Sequence, residues 1–150
     1  MRRTGESTDV GRESHIRVVL AEDHAEFRLG LKEMLATDGG IEVVGEAENG
    51  AQAVALAREV RPDVIVLDLV MPVMEGREAL GLILRDGSPP PGIVILTMHD
   101  QPRLRRELMR MGASAFLAKS ASLAEVIGAV KGSRLLRTPR EESGEAPPAS

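Results

Sequence analysis

One hundred and fifty residues predict a single domain with its own core, since domains run to roughly 150 residues. Hydrophobic residues make up 43 % and charged residues 28 %, the balance of a soluble globular chain. Twenty-three acidic against nineteen basic residues leave a formal net charge of −4, two Phe are the only aromatics and there is no Cys. Together these exclude a global attraction to nucleic acid or anionic membrane, stacking platforms for single strands, disulfides, thiolate metal sites and cysteine nucleophiles.

Residues 1–14 are polar and without periodicity, and read as a disordered lead-in. Arg2 and Arg3 precede no apolar stretch, so the start is not a signal peptide. No apolar run approaches the roughly 18 residues of a membrane span, and the expected location is cytoplasmic. Regular patterning runs from Ile16 to about Lys131. It opens with a strand over Ile16–Ala21 and a helix over Glu26–Leu35, whose Phe27, Leu31, Met34 and Leu35 share one face. A second strand covers Ile41–Ala47, and a helix over 51–60 follows the turn Asn49-Gly50. The apolar run Val64–Leu67 is a third strand, followed by a helix over 75–84 that Gly87 and three prolines close. Ile93–Leu96 is a fourth strand, with a helix over 102–111 capped by Gly112. Ala115–Ala118 is a fifth strand, followed by a helix over 122–131. Pro139, Pro147 and Pro148 mark 133–150 as a disordered tail or linker, which leaves one domain over 15–132.

Five βα units in succession predict an α/β fold with a parallel sheet. The third and fourth strands are apolar throughout, as central strands buried on both faces should be. Helices on both faces and right-handed crossovers favour the flavodoxin-like, doubly wound, five-stranded order 2-1-3-4-5.

Polar groups stand at the strand exits: Glu22-Asp23 after the first, Asp68 after the third, Thr97 after the fourth and Lys119 after the fifth. Singly these are a turn residue, a helix cap and a surface lysine; His24 reads as a surface residue at a helix start. In an open parallel sheet, however, ligands bind beyond the carboxyl ends of the strands where the order reverses, so these groups should share one shallow pocket. Two carboxylates about 4 Å apart repel by roughly 4 kcal/mol at an effective dielectric of 20. Three need a proton or a cation, and oxygen ligands without Cys suit Mg²⁺ rather than zinc. Mg²⁺ commonly shares its shell with phosphate oxygens, which points to phosphoryl chemistry. Asp68, alone at the end of the central strand, is then the nucleophile, with Glu22 and Asp23 on the metal and Thr97 and Lys119 on the phosphoryl oxygens.

The motifs VVLAEDH (18–24), VIVLDLVMPVMEG (64–76), ILTMHD (95–100) and GASAFLAK (112–119) make roughly residues 15–132 resemble a receiver domain of bacterial two-component response regulators. The run DHAEFRLGLKEML (23–35) further resembles the subfamily that joins a receiver to a helix-turn-helix output domain. The resemblance implies a phosphoacceptor switch rather than an enzyme. Asp68 takes a phosphoryl group from a histidine kinase, and Glu22, Asp23, Asp68 and the Val70 backbone carbonyl hold Mg²⁺. Thr97 swings toward the phosphoryl group, Phe116 rotates inward behind it and Lys119 pairs with its oxygens. Glu22 stands where Asp is common, Phe116 lacks the hydroxyl of the more usual Tyr, and Ser120 stands where many members have Pro. Val70, two residues past Asp68, cannot orient an attacking water, so intrinsic loss of the phosphoryl group should be slow. The segment after Gly132 is too short for a helix-turn-helix domain, so no DNA-binding domain is expected in this chain. Arg103, Arg105, Arg106 and Arg110 crowd one helix, either as a solvated face or as a dock for an acidic protein or a second receiver. The competing functions are a degenerate receiver that acts unphosphorylated as an interaction module, a metal-dependent phosphohydrolase and a flavin carrier. The hydrolase needs a second Asp where Val70 stands, and the flavin phosphate would be repelled by Glu22-Asp23.

Overall fold

Short β-branched runs alternate with amphipathic segments, and each became the element its period dictates. The computed structural model describes residues 15–86 and 89–145, with side chains described through residue 134. In chain order the elements are β1 (Ile16–Ala21), α1 (Ala25–Ala36), β2 (Ile41–Ala47), α2 (Gly50–Val60) and β3 (Val64–Leu67). Then come α3 (Gly76–Asp86), β4 (Gly92–Thr97), α4 (Pro102–Met111), β5 (Ala115–Ala118) and α5 (Leu123–Glu145). The strands form one five-stranded sheet in the order β2-β1-β3-β4-β5, and every pairing is parallel. The expected fold class and strand order are therefore those observed.

Alternation along each strand divides the core in two. Val19, Ala21, Ile65, Leu67, Ile93 and Ile95 face α2, α3 and α4 and pack with Ala53, Val54, Leu80, Ile83 and Leu108. Val18, Leu20, Val64, Val66, Val94 and Leu96 face α1 and α5 and pack with Leu31, Leu35, Val126 and Val130. At about 1.5–3 kcal/mol for each fully buried aliphatic side chain, these two layers supply the main driving force that fixes the strand register.

Local signals set the helix ends. Asn49 caps α2, its side chain accepting from Gln52 N–H at 2.9 Å, while Gln52 Oε1 accepts from Glu48 N–H at 2.7 Å. Ser122 and Glu125 form a reciprocal capping box on α5, with bonds of 3.1 and 2.8 Å. Pro102 opens α4, where its missing N–H costs nothing, and Gly112 closes it as expected.

The end of the chain departs from expectation. α5 continues to Glu145 instead of stopping near Lys131, so the segment from 133 read as tail or linker is helical that far. Ser133 is buried, and a Cβ on Gly92 would come within 2.8 Å of the Ser133 Cβ. This close approach of α5 to β4 carries the helix past Gly132, and the Leu, Arg and Glu that follow are good helix formers. The lead-in of 1–14, the Gly87 stop and residues 146–150 lie outside the described residues.

Candidate functional site

The register brings the chemical groups to one rim. Ala21 pairs with Leu67, Leu67 with Ile95 and Thr97 with Ala118, so the strands end nearly level. Backbone bonds continue the ladder past the strands: Asp68 N–H donates to Ala21 O at 3.0 Å, and Lys119 N–H to Thr97 O at 2.9 Å. Glu22, Asp23, Asp68, Thr97 and Lys119 thus leave four neighbouring strands on the same side.

One ammonium ties three of these strands together. Lys119 Nζ lies 2.7 Å from Glu22 Oε1 and 3.2 Å from Asp68 Oδ2. Glu22 and Asp68 are buried, and the Lys119 side chain is 10 % exposed, so the ion pairs are little screened. Asp68 Oδ1 accepts the Leu69 N–H at 2.7 Å and, more weakly, the Val70 N–H at 3.5 Å. Gly76 allows this turn: its N–H donates to Leu69 O at 2.9 Å, and a Cβ there would overlap the Asp68 carbonyl. Burial, followed by the Glu22 charge, raises the Asp68 pKa, and Lys119 and the Val70 N–H offset this only in part. Burial alone would raise Glu22 as well, but its bonds from Lys119 and His24 hold it below the usual value. Burial would lower Lys119, yet Glu22 and Asp68 together raise it.

Asp23 is placed differently. Its carboxylate is 30 % exposed, and its Oδ1 is shielded from solvent without a hydrogen bond, with His24 Nδ1 3.4 Å away. A shielded carboxylate oxygen without a hydrogen bond is costly unless a cation meets it. Glu22, Asp23 and His24 each offer a ligand atom within 4.8 Å of the others. The set is mainly hard carboxylate oxygen, which fits a divalent cation of the Mg²⁺ class. Val70, expected to offer its carbonyl, has a 55 % exposed side chain at the rim.

Thr97 is fully buried, and its Oγ1 accepts the His99 N–H at 3.1 Å. Phe116 is 4 % exposed and packs in the core, with the Arg105 guanidinium 5.3 Å from its ring centroid.

Three participants were not singled out from the sequence. His24, read as a surface residue, stands just before α1 with an exposed ring, yet its N–H and Nδ1 lie 2.9 and 3.0 Å from Glu22 Oε2. Arg28 donates to the Glu22 carbonyl at 2.7 Å and to Glu46 at 3.0 Å, bracing the β1 exit against β2. Phe27, read as a core position, presents its ring to Lys119 Nζ at 4.7 Å. The only sequence signal for all three is their place in the first turn after Glu22-Asp23.

Comparisons with known proteins agree with this fold. The family model of the response regulator receiver domain matches residues 18–131. The chain is 36 % identical over 116 residues to the response regulator GacA of Pseudomonas viridiflava, covering 77 % of this chain and 54 % of that protein. It is 40 % identical over 116 residues to the transcriptional regulatory protein LiaR of Bacillus subtilis, with the same two coverages of 77 % and 54 %. The structure resembles the signal receiver domain of the response regulator NarL from Mycobacterium tuberculosis, with a TM-score of 0.76 and 33 % identity over 81 % of this chain and 97 % of that one. The chain spans about half the length of the curated relatives it matches. Because the family match runs nearly from the first strand to the last helix, and the strand order agrees with it, the chain belongs to the response regulator receiver domain family of two-component systems.

Proposed function

We propose that this receiver accepts a phosphoryl group from a histidine kinase onto Asp68 in a Mg²⁺-dependent reaction, as a cytoplasmic switch. The observation that carries this reading is the Lys119 ammonium held between Glu22 and Asp68, beside an Asp23 oxygen that has no hydrogen bond. Glu22, Asp23, Asp68 and the Val70 carbonyl would hold the ion. Bound Mg²⁺ supplies charge neutralisation for carboxylate and phosphoryl oxygens.

The chain's own groups do the rest. An oxygen of Asp68 attacks phosphorus, and the phosphorus–nitrogen bond of the kinase phosphohistidine breaks. Its electron pair returns to the imidazole, which takes up a proton. Asp68 retains nucleophilic character because Lys119 opposes the effects of burial and of Glu22 on its charged form. Lys119 then follows the new negative charge onto a phosphoryl oxygen, and the Thr97 hydroxyl turns from the His99 N–H toward another. Phe116, buried in the core, would back Thr97 as its hydroxyl moves. Output goes to a second receiver or an acidic protein at the exposed Arg103, Arg106 and Arg110 of α4.

Incubation with acetyl phosphate and Mg²⁺, followed by peptide mass spectrometry, tests the reading. One phosphoryl group on Asp68, lost in Asp68→Asn and in EDTA, is expected. No labelling at saturating donor favours an unphosphorylated interaction module, and steady turnover of phosphate monoesters favours a hydrolase.

A further inference from the structure

Only two aromatic residues occur in the chain, and each faces a cation: Phe116 meets Arg105, and Phe27 meets Lys119. The second pair lies inside the site. Lys119 Nζ sits 4.7 Å from the Phe27 ring centroid, within the roughly 6 Å over which a ring quadrupole attracts an ammonium. Phe27 belongs to the first turn of α1 and is half-buried, one turn before Leu31 in the core beneath.

An ammonium has three N–H donors. Those of Lys119 have two carboxylate partners among the described residues, Glu22 and Asp68. The ring is the third surface this almost enclosed cation meets, and it takes the place of water there. We propose that Phe27 is a positioning residue that keeps the Lys119 ammonium in the site while its bonds pass from Glu22 to the phosphoryl group on Asp68. A π face suits that task. It attracts the charge without a directional hydrogen bond, so the ammonium can shift between oxygens without being rehydrated. The tighter pair with Glu22, 2.7 against 3.2 Å to Asp68, is the one that must loosen. This inference rests on the phosphoacceptor reading above.

Two measurements on the full chain test it. By NMR, in the protein without Mg²⁺, the ring current of Phe27 moves the Lys119 ε-methylene protons upfield. That shift persists in Phe27→Tyr and disappears in Phe27→Leu, or in Phe27→Met should the Leu variant not fold. With acetyl phosphate and saturating Mg²⁺, Asp68 labelling slows about three- to tenfold in the Leu or Met variant. It returns to within about twofold of wild type in Phe27→Tyr, and the Mg²⁺ concentration for half-maximal rate stays the same in all. Wild-type labelling in the Leu or Met variant overturns the inference, as does equal impairment of the Tyr and Leu variants or absence of the upfield shift in wild type. Failure of wild type to label at all overturns the function and this role with it, and is told apart because the upfield shift remains.

Discussion

At the residue scale, Asp68 is an acid kept in an unfavourable place. Its pKa is raised by burial and by Glu22, so its charged form is disfavoured in the fold. A carboxyl raised on folding contributes stability that is complete below its ordinary titration range and lost as pH rises through the raised value. Asp68→Asn should therefore stabilise the Mg²⁺-free protein at neutral pH, on the order of 1 kcal/mol or a few degrees in Tm. The gain should shrink as pH falls through the ordinary Asp range and vanish below about pH 3, and a melt series across pH reads it; an Asn variant less stable at pH 7 contradicts the assignment. On the proposed phosphoacceptor reading, Val70 should set the lifetime of the phosphorylated state. Its side chain is 55 % exposed beside Asp68 and has no polar atom to hold a water. Val70→Asn should speed loss of the phosphoryl group severalfold after donor removal, and Val70→Ala should not. Faster loss in the Ala variant without faster loss in the Asn variant argues against water orientation as the control.

At the element scale, the loop between β3 and α3 carries the local cost of the site. Val73 has φ 67°, left-handed backbone that a β-branched residue adopts at a cost of roughly 1–2 kcal/mol. Its neighbours close a three-residue turn, Met74 N–H donating to Pro72 O at 2.6 Å. Val73 is 82 % exposed, so the strain is not repaid by burial. Glycine relieves it but adds about 0.5–1 kcal/mol of backbone entropy to the unfolded chain. Val73→Gly should thus raise stability by about 0.5–1 kcal/mol in denaturant unfolding and leave Asp68 labelling unchanged; a destabilised variant would show that Val73 is not strained in solution. Strands were the most legible elements, because uniformly apolar β-branched runs such as VIVL admit little else. The extent of α5 was not legible. Pro139, Pro147 and Pro148 read as the marks of a tail, whereas the contact that carries the helix on, Ser133 against Gly92, joins residues far apart in sequence. The sign of φ at Val73 was hidden too, since only the closed turn imposes it.

At the scale of the whole molecule, strand order turns scattered residues into a site. Glu22, Asp68 and Lys119 meet because β1, β3, β4 and β5 are neighbours ending within two residues of one level. That convergence could be inferred from the βα alternation, since the order 2-1-3-4-5 follows from crossover handedness and two-sided helix packing. The supporting contacts of His24, Phe27 and Arg28 could not, because they depend on how the first turn of α1 is rotated over the rim. On the proposed reading, a divalent cation at Asp23 completes this acidic rim. A Mg²⁺ titration followed by thermal unfolding tests it without a kinase or phosphodonor. A ligand present at 100 times its Kd stabilises the native state by about 2.7 kcal/mol. Wild type should gain several degrees in Tm at millimolar Mg²⁺, and Asp23→Asn should lose most of that gain. A Tm indifferent to Mg²⁺, or an equal rise in Asp23→Asn, would show that no cation completes the rim at Asp23.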